Sequence, residues 1–143
     1  MTTAPGNPVP AILAAYKAAV FAKDVDAFVA LYAADVRVFD MWGRWEHRGL
    51  EAWREMAAGW FGSLGAERVA VDFTDVQAEL AADLASGHAF ARFAAIDAAG
   101  AELRALNNRF SVVLRREDGA WKIVHEHSSA PLAFDTAKAL FER

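Results

Sequence analysis

The 143-residue chain contains no cysteine. Disulfides and thiolate metal sites are thereby excluded, and cysteine usage says nothing about redox compartment. There is no excess of positive charge either: 15 Lys and Arg stand against 19 Asp and Glu, a formal net charge of −4. Such a chain offers no electrostatic footprint to nucleic acid or to an anionic membrane, so neither is expected as a partner. A long apolar run is also missing. The longest, AILAAYKAAVFA, is short and carries Lys17. It makes neither a membrane span nor a signal peptide, and a cytoplasmic location is expected. Proline is scarce. Three of the four prolines stand among the first ten residues with Gly6, and they mark residues 1–9 as a loose tail. Finally, there is no glycine-rich phosphate loop, nucleophile elbow or metalloprotease motif, and no cofactor is expected.

What the chain has instead is apolar mass. Hydrophobic residues make up 55%, with ten Phe and five Trp. This composition and length suit one globular domain with one core, here residues 10–143. Pro10 suits the start of a helix on which Ile12, Tyr16, Ala19 and Lys23 share a stripe. Asp24 is placed to cap a second helix, VDAFVALYA. VRVFDMW reads as a strand, with Val36, Val38, Asp40 and Trp42 on one face and Arg37, Phe39 and Met41 on the other. The turn GRWEHRG leads to a third helix lined by Leu50, Trp53, Met56 or Ala57, and Trp60. Four strands follow, the last being WKIVHEHSS, closed by Pro131. FDTAKALFER is left as a short helix or a tail. Helices first and strands afterwards predict an α+β domain with three helices on the concave face of a curved, cone-shaped antiparallel sheet.

The element order and three stretches, DVDAFVALYAADVRVFD, HRGLEAWREMAAGWF and REDGAWKIVHEHSSAP, resemble the SnoaL-like and ketosteroid-isomerase-like families of the nuclear transport factor 2 superfamily. The resemblance runs from about Ala11 to Phe134. It implies a cystatin-like α+β barrel with a pocket between helices and sheet, and a homodimer through the outer sheet face. In steroid isomerases a tyrosine on the first helix donates to the substrate oxyanion, and an aspartate at the end of the first strand moves the proton. Tyr16 and Asp40 stand at the matching places. The third member of that site falls near Val113, which has no donor. The last hairpin also resembles the association domain of calcium/calmodulin-dependent kinases, with a similar DG turn and a His-x-His run. The arginines of that domain's pocket are replaced here by Val112 and Ser128.

The expected function is therefore a cofactor-independent isomerase, cyclase or dehydratase acting on an apolar small molecule. Asp40 would be the general base, Tyr16 the hydrogen-bond donor and Glu126 an accessory acid. Trp42, Trp60, Asn108, Phe110 and Ser128 are candidate ligand-binding residues, and no metal site is expected. A plainer reading gives Asp40 the task of capping a turn or pairing with Arg44 or Arg48, and makes Tyr16 an ordinary core tyrosine. The alternatives for the whole chain are a non-catalytic binding or assembly module, and an epoxide hydrolase for which Arg92 and Arg109 offer the arginine. His47 and His88 are the only histidines besides His125 and His127, and nothing in the sequence brings them together.

Which way His125 and His127 point depends on the last hairpin. A two-residue loop at Asp118 and Gly119 would set His125 opposite Val112 and His127 opposite Phe110. A three-residue loop would set His125 against Ser111, His127 against Arg109 and Trp121 against Arg115, turning Glu126 and Ser128 to the apolar face. A one-residue slip exchanges every side chain between the faces. The kinase-domain resemblance favours the second register. In it, Arg109, Val113, Trp121, Ile123 and His127 form the outer, dimer-forming patch.

Overall fold

The computed structural model describes residues 6–143; of the expected tail, residues 1–5 lie outside the described residues. Helix α1 spans Val9–Ala22 and begins one residue before the expected boundary, with Pro10 in its first turn. Val9, Ile12, Leu13, Tyr16, Ala19 and Val20 form its buried stripe. Lys23 ends the helix at φ 54°, and the Asp24 amide reaches back to the Ala19 carbonyl, which closes the last turn. The Asp24 carboxylate accepts from the Ala27 amide at 3.0 Å and caps α2, Val25–Val29. This second helix is shorter than its periodicity suggested, because Tyr32 already opens strand β1, Tyr32–Phe39.

The remaining elements are β2 (His47–Arg48), α3 (Leu50–Ser63), β3 (Arg68–Leu80), β4 (Leu84–Ile96), β5 (Glu102–Glu117) and β6 (Ala120–Ser129). They build one curved, unclosed sheet of order β2-β1-β6-β5-β4-β3. The sheet is not wholly antiparallel as expected. The meander β3 to β6 is, but β1 lies parallel to β6, with Val38 beside Glu126 and Phe39 beside His127. The four intervening strands and α3 supply the long crossover that a parallel pair requires. Part of the turn GRWEHRG is strand: His47 pairs with Val38 along the edge of β1.

The last hairpin follows neither expected register throughout. Asp118 and Gly119 form a two-residue loop at φ 51° and 79°, both left-handed, which suits a hairpin turn whose twist matches the strands. Near the turn Arg116 pairs with Trp121 and Leu114 with Ile123; beyond a register shift, Val113 pairs with His125 and Val112 with Glu126. Val124 is the extra residue, and the shift inverts the alternation downstream. Trp121 and Ile123 therefore face inward with Leu114, and so do Glu126 and Ser128 with Val112 and Phe110. The expected outer patch keeps Arg109, Val113 and His127 but loses Trp121 and Ile123, the latter fully buried in the core.

The core lies between the helices and the inner sheet face. Phe28 of α2 is its centre, with rings of Tyr16, Tyr32, Trp53 and Phe61 at 5.2–6.0 Å. Such pairs each add about 0.5–1.5 kcal/mol beyond area burial, and they lock the rotamers of the tyrosines. The C-terminal segment forms no helix. It returns across the sheet: Leu132 bridges Ala139, and the Asn107 amide donates to the Phe141 carbonyl at 2.8 Å.

Candidate functional site

Between α1, α3 and the inner face of β4, β5 and β6 lies a cavity of about 840 Å³. That volume suits a ligand of drug size. Its walls are chiefly aromatic, and its polar groups are few. The residues named from the sequence as catalytic or ligand-binding line it: Tyr16, Asp40, Glu126, Trp42, Trp60, Asn108, Phe110 and Ser128. The buried ones, Tyr16, Glu126, Asn108, Phe110 and Ser128, form the floor; Trp42, 54% exposed, belongs to the mouth.

Asp40 stands one residue beyond the end of β1, where the chain leaves the sheet. Ser128 on the neighbouring β6 holds it: the Ser128 hydroxyl donates to Asp40 Oδ1 at 3.1 Å and accepts from the Met41 amide at 3.3 Å. Burial raises the Asp40 pKa above its ordinary 3.8, while the Ser128 hydroxyl, the Met41 amide and nearby His47 act to keep the charge. Neither Arg44 nor Arg48 pairs with it; Arg48 goes to Glu46.

Glu126 is almost wholly buried beside Val38 and opposite Val112. The Tyr32 hydroxyl donates to its Oε1 at 2.5 Å. Burial nevertheless pushes its pKa up from 4.5 to about 8, against the Tyr32 hydrogen bond and with help from the Asp40 charge. At neutral pH it is chiefly the neutral acid, and its O–H is available to donate. Tyr16 is held by Phe28 and Phe110 at 5.3 Å and by Phe73 at 5.8 Å. Burial, then the Glu126 and Asp40 charges, raise its pKa well above 10, so its hydroxyl also stays protonated. No protein group among the described residues bonds that hydroxyl, and it faces the cavity. The Asn108 amide nitrogen rests on Met41 Sδ at 3.4 Å, and its buried oxygen has no partner among the described residues.

Two carboxyl groups of unlike environment thus share one chamber with the Tyr16 hydroxyl. Asp40 suits a base, and Glu126 and Tyr16 suit donors to a developing oxyanion. Sequence reasoning missed His47 and Arg44 among the polar residues lining the cavity, and Tyr32, which lies behind the lining and holds Glu126. Tyr32 was hidden inside an apparent helix. His47 lay in a segment read as turn, and its ring now packs on Trp53 at 5.1 Å. Arg44 had been weighed only as a partner for Asp40, yet it lines the cavity. Other residues fall away from the site. His125 and His127 lie on the outer face against Phe39, at 4.8 and 5.7 Å, with His125 Nδ1 on the Arg37 carbonyl. Arg92 is tied to Glu102 and Arg109 to Ser129, so neither supplies the arginine of an epoxide-hydrolase site. Val113 faces out; Glu126, not a β5 residue, brings the second acid to the floor.

Among the described residues no helix is long and apolar enough to cross a membrane. Residues 9–133 match the SnoaL-like domain. No curated protein matches the chain. Among solved structures, a nuclear transport factor 2-like protein of unknown function from Pseudomonas putida is 27% identical, with a TM-score of 0.83 over 94% of this chain and 92% of that one. A candidate calcium/calmodulin-dependent protein kinase II association domain from Thiobacillus denitrificans is 26% identical, with a TM-score of 0.66 over 89% of this chain and 96% of that one. An uncharacterized cystatin-like protein from Caulobacter vibrioides shares the fold at 16% identity, with a TM-score of 0.68 over 90% of each chain. With the family matched across nearly its whole length and the helix-covered curved sheet in place, the chain belongs to the SnoaL-like family of the nuclear transport factor 2 superfamily.

Proposed function

We propose that the protein is a cofactor-independent isomerase, cyclase or dehydratase that moves a proton on an apolar, carbonyl-bearing substrate. The observation that carries this reading is the pair of carboxyl groups: Asp40, hydrogen-bonded by Ser128 in its charged form, and Glu126, buried and raised to about 8. Environments that push two acids apart assign them the roles of base and acid. The Asp40 carboxylate takes a proton from the carbon beside the carbonyl. The C–H electron pair forms the new C=C bond and the carbonyl π pair moves onto the oxygen, where the Tyr16 and Glu126 hydroxyls donate to the enolate. Return of the proton at another carbon gives isomerisation, attack on a second carbonyl gives cyclisation, and loss of a β-hydroxyl as water gives dehydration.

The test is α-proton exchange of 2-tetralone in D₂O, followed by NMR. Asp40→Asn keeps the shape and removes the base, and the catalysed exchange should fall at least about a hundredfold. Tyr16→Phe should cost less, since one donor remains. Full exchange in both variants would remove the assignment. A second reading, a non-catalytic binding module, is favoured by the unpaired Asn108 oxygen. A buried acceptor without a partner costs about 1–3 kcal/mol, which a ligand hydroxyl or N–H would relieve whether or not chemistry followed. Unchanged tetralone exchange, with ligand affinity altered in both variants, selects that reading. We also propose a homodimer through the outer sheet face, around Phe39, Val113 and His127.

A further inference from the structure

We infer that the molecule held in this cavity is an organic acid: an aromatic carbonyl compound whose carboxylate stays at the mouth on Arg44 while its carbonyl end reaches the floor. The inference rests on the cavity being the substrate site, and it adds the substrate's charge and its direction of entry. Ten of the eleven arginines hold a carboxylate, an oxygen or a ring among the described residues. Arg44 is the exception, and it lines the cavity. Glu46, the acid nearest in sequence, is already held by Arg37 and Arg48. The other mouth arginine, Arg104, is neutralised by Glu67 at 2.7 Å. Arg44 is thus the cation left unanswered at the entrance of an apolar chamber in a chain of net charge −4.

The chamber is polarised by the same account. Of its acids, Glu126 lies deep and Asp40 is half-buried, while Arg44, unpaired among the described residues, lies exposed at the rim. A carboxylate pushed to the floor would lose its water next to Asp40, and both effects oppose it. At the rim it keeps water on one side and meets a planar guanidinium that can bind it through two parallel N–H bonds. A neutral carbonyl has the opposite preference, because the floor offers the Tyr16 and Glu126 donors. Between the two ends the ligand passes aromatic surfaces. Trp42 and Phe141, their rings tilted against each other at 5.8 Å, form one side of the entrance.

The probes are 6-acetyl-2-naphthoate, which carries both groups, and its methyl ester, titrated calorimetrically at low and high salt. The wild-type chain should bind the acid about tenfold more tightly than the ester, the scale of one charge-assisted contact at a partly wetted site, with salt weakening only the acid. Arg44→Gln should abolish the preference. Arg109→Gln, which removes the same charge from the outer face, should leave it intact. Equal affinity for acid and ester, a preference that survives Arg44→Gln, or binding of neither probe would overturn the inference. Proton exchange of the acetyl group separates this from the catalytic reading. Acid preference without Asp40-dependent exchange leaves the ligand class standing and removes the enzyme; Asp40-dependent exchange without acid preference does the reverse.

Discussion

Glu126 is the residue whose burial has the widest consequences. Below about pH 4.5 both folded and unfolded chains hold its proton. Between 4.5 and about 8 only the folded chain does. Rising pH therefore favours unfolding across that window, by up to about 1.4 kcal/mol per unit, and the effect levels off above it. Glu126→Gln keeps an oxygen for the Tyr32 hydroxyl and removes the titration. Thermal melts from pH 5 to 8 should show the wild-type midpoint falling relative to that of the variant. Parallel curves would mean that Glu126 is ionised in the fold. The residues themselves were legible from the sequence as chemistry-bearing positions: Tyr16 on a helical stripe, Asp40 closing an apolar strand face. The partnership of Glu126 with Tyr32 was not, because 94 positions separate them and only the parallel pairing of β1 with β6 makes them neighbours.

Among the elements, the junction of α1 with the sheet is held by a close approach. A Cβ on Gly87 of β4 would lie 2.6 Å from Cγ1 and 3.1 Å from Cγ2 of Val9. Val9 is fully buried and β-branched, so it has no open rotamer to move into. Gly87→Ala should cost about 1–3 kcal/mol in chemical denaturation. Val9→Ala leaves a void on its own, but combined with Gly87→Ala it should recover part of the loss, a coupling that a double-mutant cycle reads directly. Simple additivity would mean that helix and strand do not meet there. The two-residue turn at Asp118 and Gly119 is equally local; its dipeptide allows it, but the three-residue loop favoured from the sequence is not the one formed. The bulge at Val124 has no local signal, yet it decides which face Glu126 and Ser128 present.

For the whole molecule the outer sheet face is the surface left to explain. Phe39, Val113, His125 and His127 lie there together, with the Phe39 ring against both imidazoles. A dimer through this face predicts twice the monomer mass in light scattering at micromolar concentration. Val113→Glu should shift the population to monomer without changing affinity for a cavity ligand, since Val113 points away from the chamber. A monomeric wild-type chain would exclude the dimer. Such a dimer would keep assembly on the face of the sheet opposite the cavity, so each could be altered alone.

The sequence by itself determined the α+β class, the order of helices and strands, and which residues carry chemistry, because those follow from periodicity, caps and turn dipeptides that act over a few positions. It also offered Trp42, Trp60 and Phe110 as lining for an apolar pocket, and these residues line the cavity. Only the tertiary structure decided the facing of the last strand, the burial of Glu126 and the lack of a partner for Arg44 among the described residues. Each depends on contacts between segments remote in the chain: a bulge answered by a parallel neighbour, a carboxyl sealed under helices, and a charge whose possible partners were taken by other arginines.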